Sequence, residues 1–171
     1  MKTVFSILFL SLIVISCKKS ESQVTSRFNE SLKRFNEFKQ QTGNNYSYTV
    51  TTSSWTGFSS STKITVLNRI VSSREYTAAT RNDTSLVQLA SWKETSINLN
   101  SYQECAQTLT LVQVYEKAKN EWLTADKKHN EIYLETKNNG MISLCGYVPD
   151  GCQDDCFFGI RISEIKEIDT E

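Results

Sequence analysis

Tyr46-Ser-Tyr-Thr-Val-Thr-Thr52 is the stretch that decides the fold, because apolar and polar residues alternate along it. Alternation with period two is typical of a strand that buries one face. The same pattern returns in Thr62-Lys-Ile-Thr-Val-Leu67, after turn residues at 57–61. Asn68-Arg69 then predicts a tight turn, since asparagine tolerates positive φ. A third strand is expected over residues 70–80.

More strands are predicted downstream of this hairpin. Residues 86–94 indicate a fourth strand, although the segment also fits a helical turn. The segments 132–136 and 141–147 flank Asn138-Asn-Gly140, a combination that predicts a second hairpin. A last strand is expected over residues 159–165.

Two helices complete the predicted elements. The first covers residues 24–41, where an apolar stripe has the helical period and consists of Val24, Phe28, Leu32, Phe35 and Phe38. Such a stripe normally packs on a core, and the alternative is that it lies on a membrane surface. The second runs from the N-cap Thr110 to about residue 123, and Gln113 completes a capping box.

The order of elements predicts an α+β domain with an antiparallel sheet and both helices packed on one face. Each half of the domain is expected to follow an α-β-β-β rhythm. This rhythm resembles the architecture of small periplasmic modules such as the PepSY-like and β-lactamase-inhibitor-protein-like domains. The resemblance is architectural and assigns a role to no residue.

The start of the chain predicts where in the cell the protein is located. Lys2 precedes an apolar run over residues 4–15, which is the pattern of a signal peptide and too short for a membrane-spanning helix. Val14-Ile15-Ser16 followed by Cys17 resembles the lipobox of bacterial lipoproteins. The resemblance implies cleavage before Cys17 and acyl chains on that cysteine, which anchor stably when there are two or more. The alternatives are an ordinary secretory signal with a coincidental cysteine and an uncleaved signal anchor.

This organisation gives a signal peptide at 1–16, a lipidated cysteine and tether at 17–23, and one globular domain at 24–171. The expected location is the cell envelope, with a lipid anchor in the outer membrane. The chain has 19 basic and 19 acidic residues and no basic stripe, which argues against a nucleic-acid partner.

Four cysteines remain once Cys17 is assigned to the lipid. In an exported protein an even number predicts two disulfides. Cys152 and Cys156 share one loop, so we favour that bond together with a second between Cys105 and Cys145. A four-thiolate zinc site is the alternative, but the chain contains no Cys-x-x-Cys pair.

The sequence contains one candidate metal site and one candidate partner-binding site. Asp150, Asp154 and Asp155 lie within six residues, and carboxylate oxygens are the ligands that calcium prefers. Their spacing does not follow the EF-hand pattern, and a solvated acidic turn is the simpler interpretation. Trp55 and Phe58 flank the turn of the first hairpin, where aromatic residues either bind a partner or fold back over the core.

Catalytic chemistry is poorly represented in the sequence, and no catalytic residue or required cofactor is assigned. His129 is the only histidine, and neither a Gly-x-Ser-x-Gly motif nor a Gly-rich phosphate loop occurs. The pattern Tyr46-x-Tyr-Thr and the segment Gly146-Tyr-x-Pro149 before an acidic loop resemble uncharacterised small envelope lipoproteins, which implies no activity. We therefore expect a non-catalytic binding or accessory module that contacts an envelope protein or a glycan. The alternative is a carboxylate-based enzyme, such as a calcium-supported glycan hydrolase.

Overall fold

A computed structural model describes residues 13–83 and 85–168, with the backbone alone for residues 13–21. Within these residues the fold is mixed α+β, as predicted, with two helices and a seven-stranded sheet. In chain order the elements are α1 (Ile13–Gln41), β1 (Tyr46–Ser53), β2 (Phe58–Leu67), β3 (Ile70–Asn82), β4 (Ser85–Thr95), α2 (Leu111–Lys117), a π-helical turn (Ala118–Trp122), β5 (Asn130–Glu135), β6 (Leu144–Pro149) and β7 (Phe158–Glu167).

The sheet has the order β4-β3-β2-β1-β7-β6-β5, and every neighbouring pair is antiparallel. It consists of two meanders, β1–β4 and β5–β7, which β7 joins. The C-terminal half of β7 pairs with β1, and its N-terminal half pairs with β6. The change of pairing partner along β7 determines where a groove forms between the two meanders.

The local predictions agree well with these elements. The turn between β2 and β3 has positive φ at Asn68 and Arg69, as the hairpin interpretation requires. The segment 86–94 is part of β4 and not a helical turn. Both hydrogen bonds of the predicted capping box are present at Thr110 and Gln113. The first half of the domain contains four strands, however, so it does not share the three-strand rhythm of the second half.

The second hairpin differs in detail from its prediction, because β6 begins at Leu144 and not at residue 141. The Asn138 side chain donates hydrogen bonds to the carbonyl oxygens of Ile142 (2.9 Å) and Ile162 (3.0 Å). These two carbonyl oxygens therefore accept hydrogen bonds from a side chain, whereas in a regular sheet they would accept them from main-chain amides of a neighbouring strand.

Tyr115 of α2 connects the two helices to each other and to the second meander. Its ring stacks on Phe35 of α1 at 4.6 Å between centroids. Its hydroxyl forms a hydrogen bond of 2.7 Å with the Ser31 hydroxyl and accepts one from the Ile142 amide at 3.2 Å. All these groups are buried, so the contact both fills the core and pairs its polar atoms.

The start of α2 is held on β1 by two tyrosines. The Leu111 amide donates to the Tyr46 hydroxyl at 3.0 Å, and the Tyr48 hydroxyl donates to the Leu109 carbonyl oxygen. Burial raises the pKa of Tyr46 to about 12, although the bond from Leu111 opposes this shift. Burial also raises the pKa of Tyr48, so both hydroxyl groups stay protonated at any physiological pH.

The predicted signal peptide and the lipid site cannot be compared with this fold. Residues 1–12 and the side chain of Cys17 lie outside what the structure describes. The helix α1 begins at Ile13, so the backbone of residues 18–23, expected to form a tether, is helical. Within the described residues, no helix is long and apolar enough to cross a membrane.

Candidate functional site

A groove with a volume of about 1140 Å³ opens on the inner face of the sheet, the face that carries Tyr46, Tyr48 and Val50. The floor consists of inward-facing side chains from β1–β4. One wall is the loop 104–109, and another is α2 with its π-helical turn. The third wall consists of residues from β6 and β7. The groove is therefore enclosed by elements from both meanders.

The register of β1–β4 aligns the inward-facing side chains in rows, with one residue from each strand. The first row is fully buried and consists of Tyr48, Ile64, Arg74 and Glu94. The second row begins the groove and consists of Val50, Thr62, Tyr76 and Trp92. Large side chains in both rows fill the space between the sheet and the segments that cover it.

The third row contains small residues, and we call it the small-residue row: Thr52, Ser60, Ala78 and Ala90. The Thr52 and Ser60 hydroxyls form a hydrogen bond with each other at 2.6 Å, which pairs the two polar groups of this row. Since these side chains reach only a short distance above the sheet, the volume above them is open. The position of the groove thus follows from the residue sizes in this row.

Aromatic stacking forms the side of the groove next to β4. The Trp92 ring lies between Tyr76, at 5.0 Å between centroids, and Tyr102, at 4.3 Å. Tyr102 belongs to the segment between β4 and α2, so the stack joins that segment to the sheet. Aromatic pairs of this kind stabilise by about 0.5–1.5 kcal/mol beyond their burial.

A buried ion pair holds the same segment in place. The Arg74 guanidinium donates to Glu94 at 2.8 Å, to the Ala106 carbonyl oxygen at 2.7 Å and to the Tyr102 carbonyl oxygen at 2.9 Å. Glu94 in turn accepts from the amides of Tyr102 (2.8 Å) and Asn100 (3.2 Å). The loop that forms one wall of the groove is therefore attached to β3 and β4 by charged hydrogen bonds.

These bonds also control the charge of Glu94. Burial alone would raise the pKa of this carboxyl group. The hydrogen bonds from the Tyr102 amide, from Arg74 and from the Asn100 amide outweigh burial and lower the pKa below its ordinary value. Glu94 is therefore ionised at neutral pH and balances the charge of Arg74.

The opposite side of the groove carries Trp122, Tyr147 and Phe158. The rings of Tyr147 and Phe158 stack at 5.4 Å, and Phe158 is 52% exposed at the groove mouth. Among the described carboxylates, Glu104 and Glu121 line the groove. Glu121 binds Lys117 through both carboxylate oxygens, at 2.9 and 3.1 Å. The lining is therefore mainly apolar and aromatic, and the ion pair joins the end of α2 to the π-helical turn.

The sheet splits at the edge of the groove. Pairing between β1 and β7 ends at Val50 and Ile162, and the last three residues of β1 pair with β2 alone. The first four residues of β7 pair with β6 alone. Two strand segments therefore diverge where the groove opens between them.

The two aromatic residues predicted to bind a partner lie in different environments. Trp55 is 80% exposed at the tip of the β1–β2 hairpin and does not fold back over the core. Phe58 begins β2 and lines the groove. The hairpin tip is fixed by a bond of 3.0 Å from the Arg81 amide to the Gly57 carbonyl oxygen, so its position relative to the β3–β4 hairpin is defined.

One of the two predicted disulfides is present. Cys152 and Cys156 are bonded, whereas Cys105 and Cys145 are free, so the prediction of a second bond was wrong. The loop of Cys105 lies over β2 and β3, because the Ala106 amide donates to Thr62 and its carbonyl oxygen accepts from Arg74. Cys145 lies in β6, at least three strand spacings away, which is roughly 14 Å. A disulfide requires Cα atoms within about 7 Å.

The carboxylates of the acidic loop do not converge on one position. Asp150, Asp154 and Asp155 are all exposed, and no three acidic, histidine or cysteine side chains converge on a cation position within the described residues. His129 is also exposed, in the turn before β5. These residues do not reach the groove.

The residues that shape the groove were missed by sequence reasoning. Arg74 and Glu94 read as ordinary charged strand residues, and the small-residue row is visible only when four strands are aligned. One signal was present: extending the alternation of β3 places Arg74 on the inner face with Tyr76 and Ala78.

Comparisons of the chain with protein-family models, with curated proteins and with solved structures returned no match.

Proposed function

We propose that this protein is a non-catalytic binding module whose groove holds a largely apolar ligand. The observation that carries the proposal is the groove itself, with its floor of small residues and its aromatic sides. Ligand sites are typically concave, mostly apolar and provided with a few fixed polar groups. We propose no catalytic role for Glu121, since Lys117 binds both of its carboxylate oxygens.

We further propose that the protein acts in the cell envelope, attached to the outer membrane by lipids on Cys17. The support is the lipobox-like sequence before that cysteine. The membrane would then be its first partner, and an envelope protein or a glycan would be the second. Nucleic acid is not expected, because the charges balance over the whole chain.

A finer architectural proposal accompanies this one: both helices cover the inner face and leave the outer face of the sheet free. The support comes from contacts of the inward-facing Tyr46. Its ring lies 6.0 Å from that of Phe38 in α1, and its hydroxyl binds the first amide of α2. In this arrangement α2 leads directly into the π-helical turn, which places Trp122 in the wall of the groove.

The experiment fills the groove and measures the binding of an apolar fluorescent dye, anilinonaphthalene sulfonate. Ala90 is half-buried on the floor, so Ala90→Phe places a ring above the small-residue row. The matched control is Ser91→Phe, one residue along the same strand and exposed. We expect Ala90→Phe to weaken dye binding about tenfold and Ser91→Phe to leave it unchanged. Equal dye binding by both variants would refute the groove as the site.

A further inference from the structure

We propose that the ligand is an extended peptide segment that adds to the free end of β1 inside the groove. This inference rests on the proposed function, because it uses the same groove. Its first support is the split in the sheet, where the end of β1 and the start of β7 each have a pairing strand on one side only.

The direction of the main-chain groups follows from the hydrogen bonds that the two strands form with their neighbours. The Ser54 amide donates to the Phe58 carbonyl oxygen at 2.9 Å. Even-numbered residues at this end of β1 therefore point their main-chain groups toward β2, and Ser53 points its amide and carbonyl into the split. By the same rule, the bond of 2.8 Å from the Ile162 amide to the Ser143 carbonyl oxygen turns the main chain of Gly159 toward the split.

These groups decide between kinds of apolar ligand. An acyl chain would cover the amide and carbonyl of Ser53 without pairing them, which costs free energy for each group removed from water. An extended peptide would pair them in the manner of an added strand. The edge therefore complements a main chain, and the apolar lining complements its side chains.

The two faces of the sheet also set the side-chain pattern of this peptide. Successive side chains of a strand point to opposite faces. One set would lie in the groove near Trp122, Tyr147 and Phe158. The other set would lie on the outer face beside Ser53 and Ser61, where hydroxyl groups predominate. The expected ligand alternates apolar and polar residues.

The test pans a phage-displayed library of random short peptides on the purified chain and elutes with the dye. We expect enriched peptides with alternating apolar residues, and their binding should slow hydrogen exchange at the Ser53 amide. Ser53→Pro removes this amide without removing a bond to β2, and it should weaken peptide affinity about three- to tenfold, the value of one hydrogen bond. Ser53→Ala keeps the amide and is the matched control, with unchanged affinity.

A second arm does not depend on the folding of the proline variant. Peptides with N-methyl groups at alternate main-chain positions should lose affinity in one of the two alternating sets and keep it in the other. Equal affinity for both sets, or unchanged exchange at Ser53, would overturn strand addition. If oleate displaces the dye and none of the library peptides does, the peptide inference is overturned, while the groove remains a ligand site. If Ala90→Phe leaves the affinity for both the dye and the peptides unchanged, the proposed function is refuted instead.

Discussion

Removing the side chain of Glu94 should destabilise the protein more than any change at an exposed charge. The substitution Glu94→Ala leaves the Arg74 guanidinium buried at 2% exposure without its counterion. It also leaves the amides of Asn100 and Tyr102 without an acceptor. Breaking a buried pair by removing one partner costs about 3–5 kcal/mol. Since domains of this kind are stable by about 5–15 kcal/mol, much of the stability would be lost.

The same two strands offer a matched control. Lys93 and Glu75 form an ion pair at 3.1 Å directly beside the buried pair, but their side chains are 57% and 40% exposed. Exposed pairs contribute about 0–1 kcal/mol, so Lys93→Ala should have a small effect. Urea denaturation of both variants measures the difference in free energy of unfolding. A cost of less than about 1 kcal/mol for Glu94→Ala, or one equal to that of Lys93→Ala, would refute the reasoning.

Three further predictions concern acid, the cysteines and the helix contact. The pKa of Glu94 is lowered in the folded protein, so its ionised form stabilises the fold above the ordinary pKa of about 4.3. This contribution to stability is lost as the pH falls through the folded pKa. In urea titrations, the wild-type protein should therefore lose more stability below a pH of about 4.3 than the Glu94→Gln variant does. Maleimide labelling with peptide mapping should modify Cys105 in the native protein, and Cys145 only in denaturant, because Cys145 is fully buried and burial raises its pKa to about 12; a cross-linked Cys105–Cys145 peptide would contradict the structure. Tyr115→Phe should cost about 1–3 kcal/mol, because the Ile142 amide loses its acceptor in the core; a cost near zero in thermal unfolding would show that this bond is not formed.

The features that the sequence predicted are those fixed by neighbouring residues. The capping box at Thr110 and Gln113 and the positive-φ turn at Asn68-Arg69 each depend on two to four adjacent positions. The local disulfide between Cys152 and Cys156 belongs to the same group. Local hydrogen-bonding chemistry decides such features, so they can be predicted without knowing the rest of the fold.

The features that escaped prediction depend on pairing between distant strands. No local pattern indicates that β7 pairs with β1, and this pairing creates the split at Val50 and Ile162. The second disulfide was inferred from the parity of the cysteine count, which carries no information on which strands lie between Cys105 and Cys145. The groove floor likewise exists only because the register aligns four small residues from four strands.

The buried ion pair explains how an open groove can persist beside a packed core. Apolar residues in place of Arg74 and Glu94 could hold β3 and β4 together equally well, since buried pairs seldom stabilise more than good apolar packing. Apolar residues could not, however, bind the carbonyl oxygens of Tyr102 and Ala106 or the amides of Asn100 and Tyr102. The pair therefore positions the loop that forms a wall of the groove. It follows that Glu94→Ala should weaken dye binding even under conditions where the variant is fully folded, whereas Lys93→Ala should not.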